Sequence, residues 1–314
     1  MINKLGYACI CLSLGKSVTT NRGMTLKTFK AKGPDYVSEL ALKNAQDVIK
    51  ILEWNEQHNI KMFRLSSALI PWGNVVDIDS LKDIDQIAAA LKQAGDYADQ
   101  HGHRISTHPG PYTVIASTNN NVVVNAIKDL EMHAKVFDLM GLSKTPYNKI
   151  NIHVNTTTNG KKESMMRFCD AYWHLSDSVR SRLVVENDDK ASQYAVEDLM
   201  YVHESIGIPI TFDYFHHSHQ PGSLSEEQAL KLAATTWPEG IVQATHYSES
   251  KRLHENNPKE NARAHSDLIH NLPETYGVTI DVMTECKLKD IAILPHMPLK
   301  SNCLTNRKDS LILS

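Results

Sequence analysis

Cysteine is scarce and poorly spaced for a structural role. The five residues, at 9, 11, 169, 286 and 303, form no CxxC pair and leave an odd count. That pattern argues against a disulfide framework or a zinc-thiolate site, and for reduced thiols in a reducing compartment. Long apolar runs are missing too: nothing nears the ~20 residues of a membrane span, so no membrane association is expected. The opening residues, Met1-Ile-Asn-Lys-Leu-Gly6-Tyr7, enter a strand pattern directly and do not form a basic segment followed by an apolar signal region. A cytoplasmic location is therefore expected. Charge of one sign is lacking as well. With 33 basic and 36 acidic residues and a net charge of −3, no global positive field draws the chain to nucleic acid. Any such contact must be local. Residues 13–34 supply a candidate, because Lys16, Arg22, Lys27, Lys30 and Lys32 occur there with no acidic residue among them; the competing reading is a solvated loop.

What the sequence does contain is a regular alternation. Hydrophobic residues make up 41% of the 314, enough for a sizeable core, and strand-like runs recur at 5–12, 61–65, 104–107, 149–154, 182–185, 209–212, 240–244 and 278–283. Between them lie helical periodicities. One runs through Leu81, Ile84, Ile87, Leu91 and Ala98, with Ser80 as the expected N-cap and Gly102 as the stop. Another runs through Val123, Ile127, Leu130, Ala134 and Phe137, between asparagines at 119–121 and Gly141. Eight strands alternating with helices predict an α/β fold, a single-domain (β/α)8 TIM-type barrel over residues 1–294; a doubly wound open sheet is the weaker alternative. Residues 295–314 form a tail to which the sequence assigns no role.

The strand ends separate the two folds. In a barrel, chemistry is built at the carboxyl ends of many strands on one face. Here those ends read Thr107-His108-Pro-Gly, Ile152-His153-Val-Asn155, Val185-Glu186-Asn187-Asp188, Phe212-Asp213-Tyr-Phe-His216, Thr245-His246-Tyr-Ser and Thr284-Glu285. A single histidine at a strand end is ordinarily a hydrogen-bonded loop residue, and a single carboxylate is ordinarily a helix cap. Six such ends in register are different, because buried carboxylates and imidazoles crowded at one mouth stay undersolvated unless a cation binds among them. Near the middle of the set stands Glu186, the candidate for a carboxylate bridging about two or three divalent ions. Nitrogen and oxygen ligands without thiolate leave zinc and manganese both open. Two short motifs mislead: His203-Glu204 lacks the second zincin histidine, since Gly207 stands there, and Gly15-Lys16-Ser17 lacks the leading P-loop glycine, since Ile10 stands there.

The segments Leu5-Gly6-Tyr7, Phe63-Arg64-Leu-Ser66-Ser67, His108-Pro-Gly-Pro111-Tyr112, Val185-Glu186-Asn187-Asp188, Phe212-Asp213-Tyr-Phe-His216-His217, Thr245-His246-Tyr-Ser and Met283-Thr-Glu285-Cys-Lys287 together resemble the UV damage endonucleases, over about positions 3 to 290. The resemblance implies a metal-dependent barrel nuclease, related to abasic-site endonucleases, that nicks damaged double-stranded DNA on the 5′ side of UV photoproducts and leaves a 3′-hydroxyl. It implies manganese, with zinc or magnesium as alternatives, and His108, His153, Glu186, Asp213, His216, His246 and Glu285 as metal ligands. His265 joins them through the segment Arg263-Ala-His265-Ser-Asp267. It also makes Glu186, Tyr7 and His246 catalytic, with Tyr7 near the reacting phosphate. Three departures stand out. Pro111-Tyr112 replaces the Gln-Tyr pair that probes the duplex, Ala244 replaces a lysine that can be carboxylated, and Cys11 replaces an expected asparagine. Tyr112, with Trp72 in the turn after the second strand, is a candidate wedge into the base stack. A monomer is expected. The rival readings are a metal-dependent sugar isomerase or epimerase on the same barrel, and a non-catalytic metal- or DNA-binding barrel.

Overall fold

The computed structural model describes residues 1–298. Eight parallel strands close into a barrel in sequence order: β1 (Ile2–Ala8), β2 (Met62–Leu65), β3 (Arg104–Thr107), β4 (Ile150–Ile152), β5 (Leu183–Glu186), β6 (Ile210–Asp213), β7 (Gln243–Tyr247) and β8 (Ile280–Thr284), with β8 returning to β1. The helices are α1 (Leu26–Gln57), α2 (Ile84–Gln100), α3 (Asn120–Met140), α4 (Lys161–Tyr172), α5 (Asp177–Arg180), α6 (Val196–Ile206), α7 (Tyr214–His219), α8 (Glu226–Ala234), α9 (Lys251–His254) and α10 (Lys289–Ile293). This is the (β/α)8 barrel expected from the alternation. Among the described residues no helix is long and apolar enough to cross a membrane. Most of the tail from 295 onward lies outside the described residues.

The alternation of side chains along each strand sets what faces where. Outward residues such as Phe63, Ile105, Ile150, Val185 and Phe212 join the main core under the helices, whereas Ala8, Met62, Val184, Ala244 and Met283 pack as a small apolar group inside the barrel with Trp237. Below that group, Arg104 is fully buried. Its guanidinium donates to Asp281 Oδ2 at 2.8 Å and to the carbonyls of Val242, Tyr147 and Pro146.

Most strand ends shift by a residue or more from the sequence expectation, and three of the shifted element boundaries have a clear local reason. β1 stops at Ala8 and not at residue 12 because Cys9 takes a left-handed backbone (φ 73°). β7 begins at Gln243 and not at residue 240, since Gly240 (φ 80°) and a turn from Ile241 back to Pro238 occupy the approach. Ser80 does not cap α2. It ends a 3-10 turn over Ile78–Ser80, and α2 starts after Asp83, whose amide and carboxylate are both engaged by the Ser38 hydroxyl. The second predicted helix is found as α3, with Asn119 accepting from the Asn121 amide and Gly141 closing it at φ 72°.

Candidate metal centre at the barrel mouth

Glu186, the last residue of β5, is fully buried, and its two carboxylate oxygens face two pairs of imidazoles. Oε1 lies 3.0 Å from His246 Nδ1 and 3.4 Å from His216 Nδ1; Oε2 lies 3.1 Å from His108 Nε2 and 3.6 Å from His153 Nε2. Each histidine arrives at a strand exit: His108 after β3, His153 after β4, His216 in α7 and His246 within β7. β6 places Asp213 beside His246 in register, and Asp213 caps α7 by accepting from the His216 amide at 2.7 Å, which turns that imidazole back over the mouth. Glu285, just past β8, brings Oε1 within 3.4 Å of His246 Nδ1. Three overlapping ligand sets result: His108–Glu186–His246, His153–Glu186–His216 and Asp213–His246–Glu285. Glu186 and His246 each belong to two of them.

The supporting groups are themselves held. Arg64, inward-facing on β2, binds Glu285 Oε1 at 2.6 Å. Asn151, inward-facing on β4, donates to Glu186 Oε2. Asp188 Oδ1 lies 3.2 Å from His153 Nδ1. Lys149 is fully buried, with Nζ at 2.8 Å from Asn151 Oδ1, 3.1 Å from Thr211 Oγ1 and 2.8 Å from His246 Nε2, so that the other ring nitrogen of His246 faces the carboxylates. Sequence reasoning named none of these four as site residues, yet Lys149, Asn151 and His153 alternate with Ile150 and Ile152, a period-two signal for one inward polar face.

Electrostatics at the mouth are divided. Burial pushes the Glu186 carboxyl up, but His246, His153 and His108 outweigh it and hold the group well below the usual carboxylate range. Burial raises Asp213 to about 7 although His216 opposes it. His216 rises to about 10 and His153 to about 9, since the nearby carboxylates overcome desolvation, whereas His246, buried and close to Lys149, falls to about 3. Burial likewise drives the Lys149 amine well below its normal range. Glu186 Oε1, His246 Nδ1 and His153 Nδ1 have no partner in hydrogen-bond geometry among the described residues. Buried carboxylate and imidazole atoms that converge without completing hydrogen-bond geometry are the donor set that divalent cations satisfy. The residues present fit such ions.

The remaining candidates divide. His265 approaches the mouth closely enough for Glu285 to act on it, with its ring 5.1 Å from Phe215 and its Nδ1 held by Ser248 Oγ at 2.6 Å, but it joins none of the three ligand sets. Tyr112 is 90% exposed beside exposed Pro111, on the same loop as His108, and that loop is anchored by Thr113 donating to Asp129. Lys16, Lys27, Lys30 and Lys32 are exposed, the last three on the opening turns of α1, before its break at Gly33 (φ 65°) and Pro34. Arg22 is different. Its guanidinium is committed to Asp47 at 2.6 Å and to the carbonyls of Ser17 and Thr19, which makes it a brace for the first loop. Trp72 stacks on Phe29 at 4.6 Å and donates to the Met24 carbonyl, the packing arrangement and not a free wedge. Tyr7 is corrected outright. Gly6 and Ala8 face the barrel interior, so Tyr7 faces α1, where its hydroxyl donates to Asn55 Oδ1 at 2.8 Å with no exposed surface.

Fold and site together define a (β/α)8 barrel whose carboxyl-terminal face carries groups that could hold metal ions. The family model described as UV-endonuclease UvdE matches residues 3–308. A UV-damage endonuclease of Schizosaccharomyces pombe is 36% identical over 302 residues, 92% of this chain and 49% of the relative, so the chain spans about half of that protein's length. The crystal structure of SacUVDE superposes with a TM-score of 0.81 at 32% identity, covering 93% of this chain and 95% of that one. The chain therefore belongs to the UV-endonuclease UvdE family. A D-psicose 3-epimerase from Clostridium cellulolyticum H10, at 10% identity, TM-score 0.51 and coverage of 76% of this chain and 78% of that one, shares the fold alone.

Proposed function

We propose that this chain is a metal-dependent endonuclease that nicks damaged duplex DNA immediately 5′ to UV photoproducts, and at abasic sites, leaving a 3′-hydroxyl. The observation that carries this reading is Glu186, buried with each oxygen between two imidazoles. Clustered divalent ions at such a site supply an activated water and neutralise charge growing on a phosphodiester. His108, Glu186 and His246 would hold one ion, and His153, Glu186 and His216 another, while Asp213 and Glu285 with His246 offer a third position. His265 is the candidate to complete one of these sets. Manganese is the metal the family resemblance favours, and the nitrogen and oxygen donors admit it.

The chain's own residues do the rest. Arg64 fixes the Glu285 carboxylate, and Lys149 fixes the His246 ring, so that both keep their orientation when a substrate enters. Nearby carboxylates favour the protonated forms of His216 and His153, so a cation binding there would displace those protons. Exposed Tyr112 is the group that can enter a distorted base step, and Lys16, Lys27, Lys30 and Lys32 are the groups that can grip phosphates. A duplex carrying one defined photoproduct, incubated with metal-stripped protein and then with manganese, zinc or magnesium singly, tests the reading. Cleavage 5′ to the lesion only after metal addition supports it. Sugar conversion without cleavage would favour the epimerase reading, and neither activity a binding barrel.

A further inference from the structure

A second convergence of metal-type donors lies on the excursion between β7 and β8, apart from the three ligand sets of the mouth. Glu249 stands two residues past β7 and is 8% exposed. Its Oε2 has His270 Nδ1 at 2.8 Å, His254 Nε2 at 3.1 Å and the His270 amide at 2.8 Å. Its Oε1 is held by the Asn271 amide at 2.9 Å, with the Tyr247 hydroxyl at 3.4 Å. The two imidazoles lie side by side, ring centres 4.0 Å apart and 16° from parallel.

A carboxylate oxygen offers about two lone-pair directions. Three nitrogens approach Oε2, so hydrogen bonding alone leaves one of them poorly served. Were both imidazoles to act as donors there, each would have to carry its proton on the nitrogen that faces the carboxylate. A cation removes the conflict, because both rings then give lone pairs to it and the amide keeps its bond to the oxygen. Donors about 2.0–2.1 Å from a tetrahedral ion stand roughly 3.3 Å apart. The two imidazole separations, 2.8 and 3.1 Å, need to open by only a few tenths of an ångström. With side chains 30% and 48% exposed, His254 and His270 can adjust and leave the remaining coordination position to water.

We propose that Glu249, His254 and His270 form a structural site for a borderline divalent cation, zinc foremost, that clips the two ends of the β7–β8 excursion together. Glu249 lies at its start, His254 ends α9, and His270 lies ten residues before β8. Between them the two legs are tied by the bonds Lys251 N to Ala264 O and Ser266 N to Glu249 O. This segment carries His265 to the mouth, so its closure governs how that imidazole is presented. A clip across a long loop suppresses its open states, because the cation binds only the closed one.

The test uses the full chain, stripped with a chelator and reloaded with zinc alone. The variant H254Q/H270Q, which leaves every mouth ligand in place, should bind one zinc fewer per chain than the unaltered protein. In the unaltered protein, proteolytic cutting within residues 251–268 should slow about a hundredfold when free zinc is a hundredfold above its Kd. In the variant that protection should vanish. Equal zinc content in the two proteins would overturn the proposal, and so would zinc that leaves the cutting rate of the unaltered protein unchanged, a measurement that stands even if the variant folds poorly.

Discussion

The floor and the mouth of this barrel both bury charge, yet they satisfy it in opposite ways. At the floor, Arg104 spends its donors on Asp281 and three carbonyls while its guanidinium packs near the Tyr147 and Trp237 rings, 5.0 and 5.2 Å away. At the mouth, four imidazoles crowd one carboxylate, and Glu186 Oε1, His246 Nδ1 and His153 Nδ1 lack partners in bonding geometry among the described residues. A buried pair whose hydrogen bonds are complete serves the fold; a buried set left incomplete is prepared for something else to complete it. Burial and charge do not separate Arg104 from the Glu186 cluster, but the completeness of their own hydrogen bonds does.

The comparison can be broken most forcefully at Glu186. Glu186→Gln keeps the shape but replaces one carboxylate oxygen with an amide donor, and nicking of a lesion duplex should fall by on the order of a thousandfold or more, with the fold retained by circular dichroism. The floor should answer in the other coin, stability. Asp281→Asn leaves Arg104 buried without its counter-charge and should lower unfolding free energy by about 3–5 kcal/mol in denaturant titration, with the chemistry of the remaining folded protein unchanged. Lys149 lies between the regions. Lys149→Met releases His246 Nε2 and should weaken metal binding by about 10–100-fold, measured by metal titration, with a smaller change in stability.

Two weaker effects sharpen the contrast. Tyr112→Ala should cost about 1–3 kcal/mol of affinity for a lesion duplex and less for intact duplex, at constant melting temperature, because the ring is 90% exposed. A fall in melting temperature with an unchanged affinity ratio would mean that the ring packs and does not probe. Near the floor, His103 is nearly fully buried against Glu56 and its pKa is lowered to about 4, chiefly by burial. Between the unfolded value near 6.5 and about 4, the unfolded chain holds the extra proton. His103 therefore contributes stability present above pH ~6.5 and lost as pH falls toward ~4. His103→Gln should flatten the stability-versus-pH curve in that window, read by thermal melts.

Much of this was legible in the sequence because strand ends and alternation carry it. All eight strands and the six polar exits could be read from residue order, and the exits converge because a closed parallel barrel brings every carboxyl end to one face. Tyr7 was misjudged because its side of β1 depends on parity. The inward positions are Gly6 and Ala8, too small to advertise themselves, and α1 supplies Asn55 for the hydroxyl. Arg22 and Trp72 looked free because a charged or aromatic loop residue shows no partner in sequence; Asp47 and Phe29 come to them only through the packing of α1 against the first loop. Lys149 and Asn151 were readable from the alternation around Ile150 and Ile152. Their role was not, since it depends on β5 and β7 placing Glu186 and His246 within reach.

The central claim is that the mouth is completed by divalent metal bridged by Glu186. The measurement that tests it most directly is metal content per chain, taken with nicking activity, for metal-stripped protein titrated with manganese in the unaltered form and as Glu186→Gln. The account predicts that the unaltered protein takes up metal at the mouth and gains activity in proportion, while the variant loses metal and activity together. A variant that retains full metal occupancy and near-normal cleavage would contradict it.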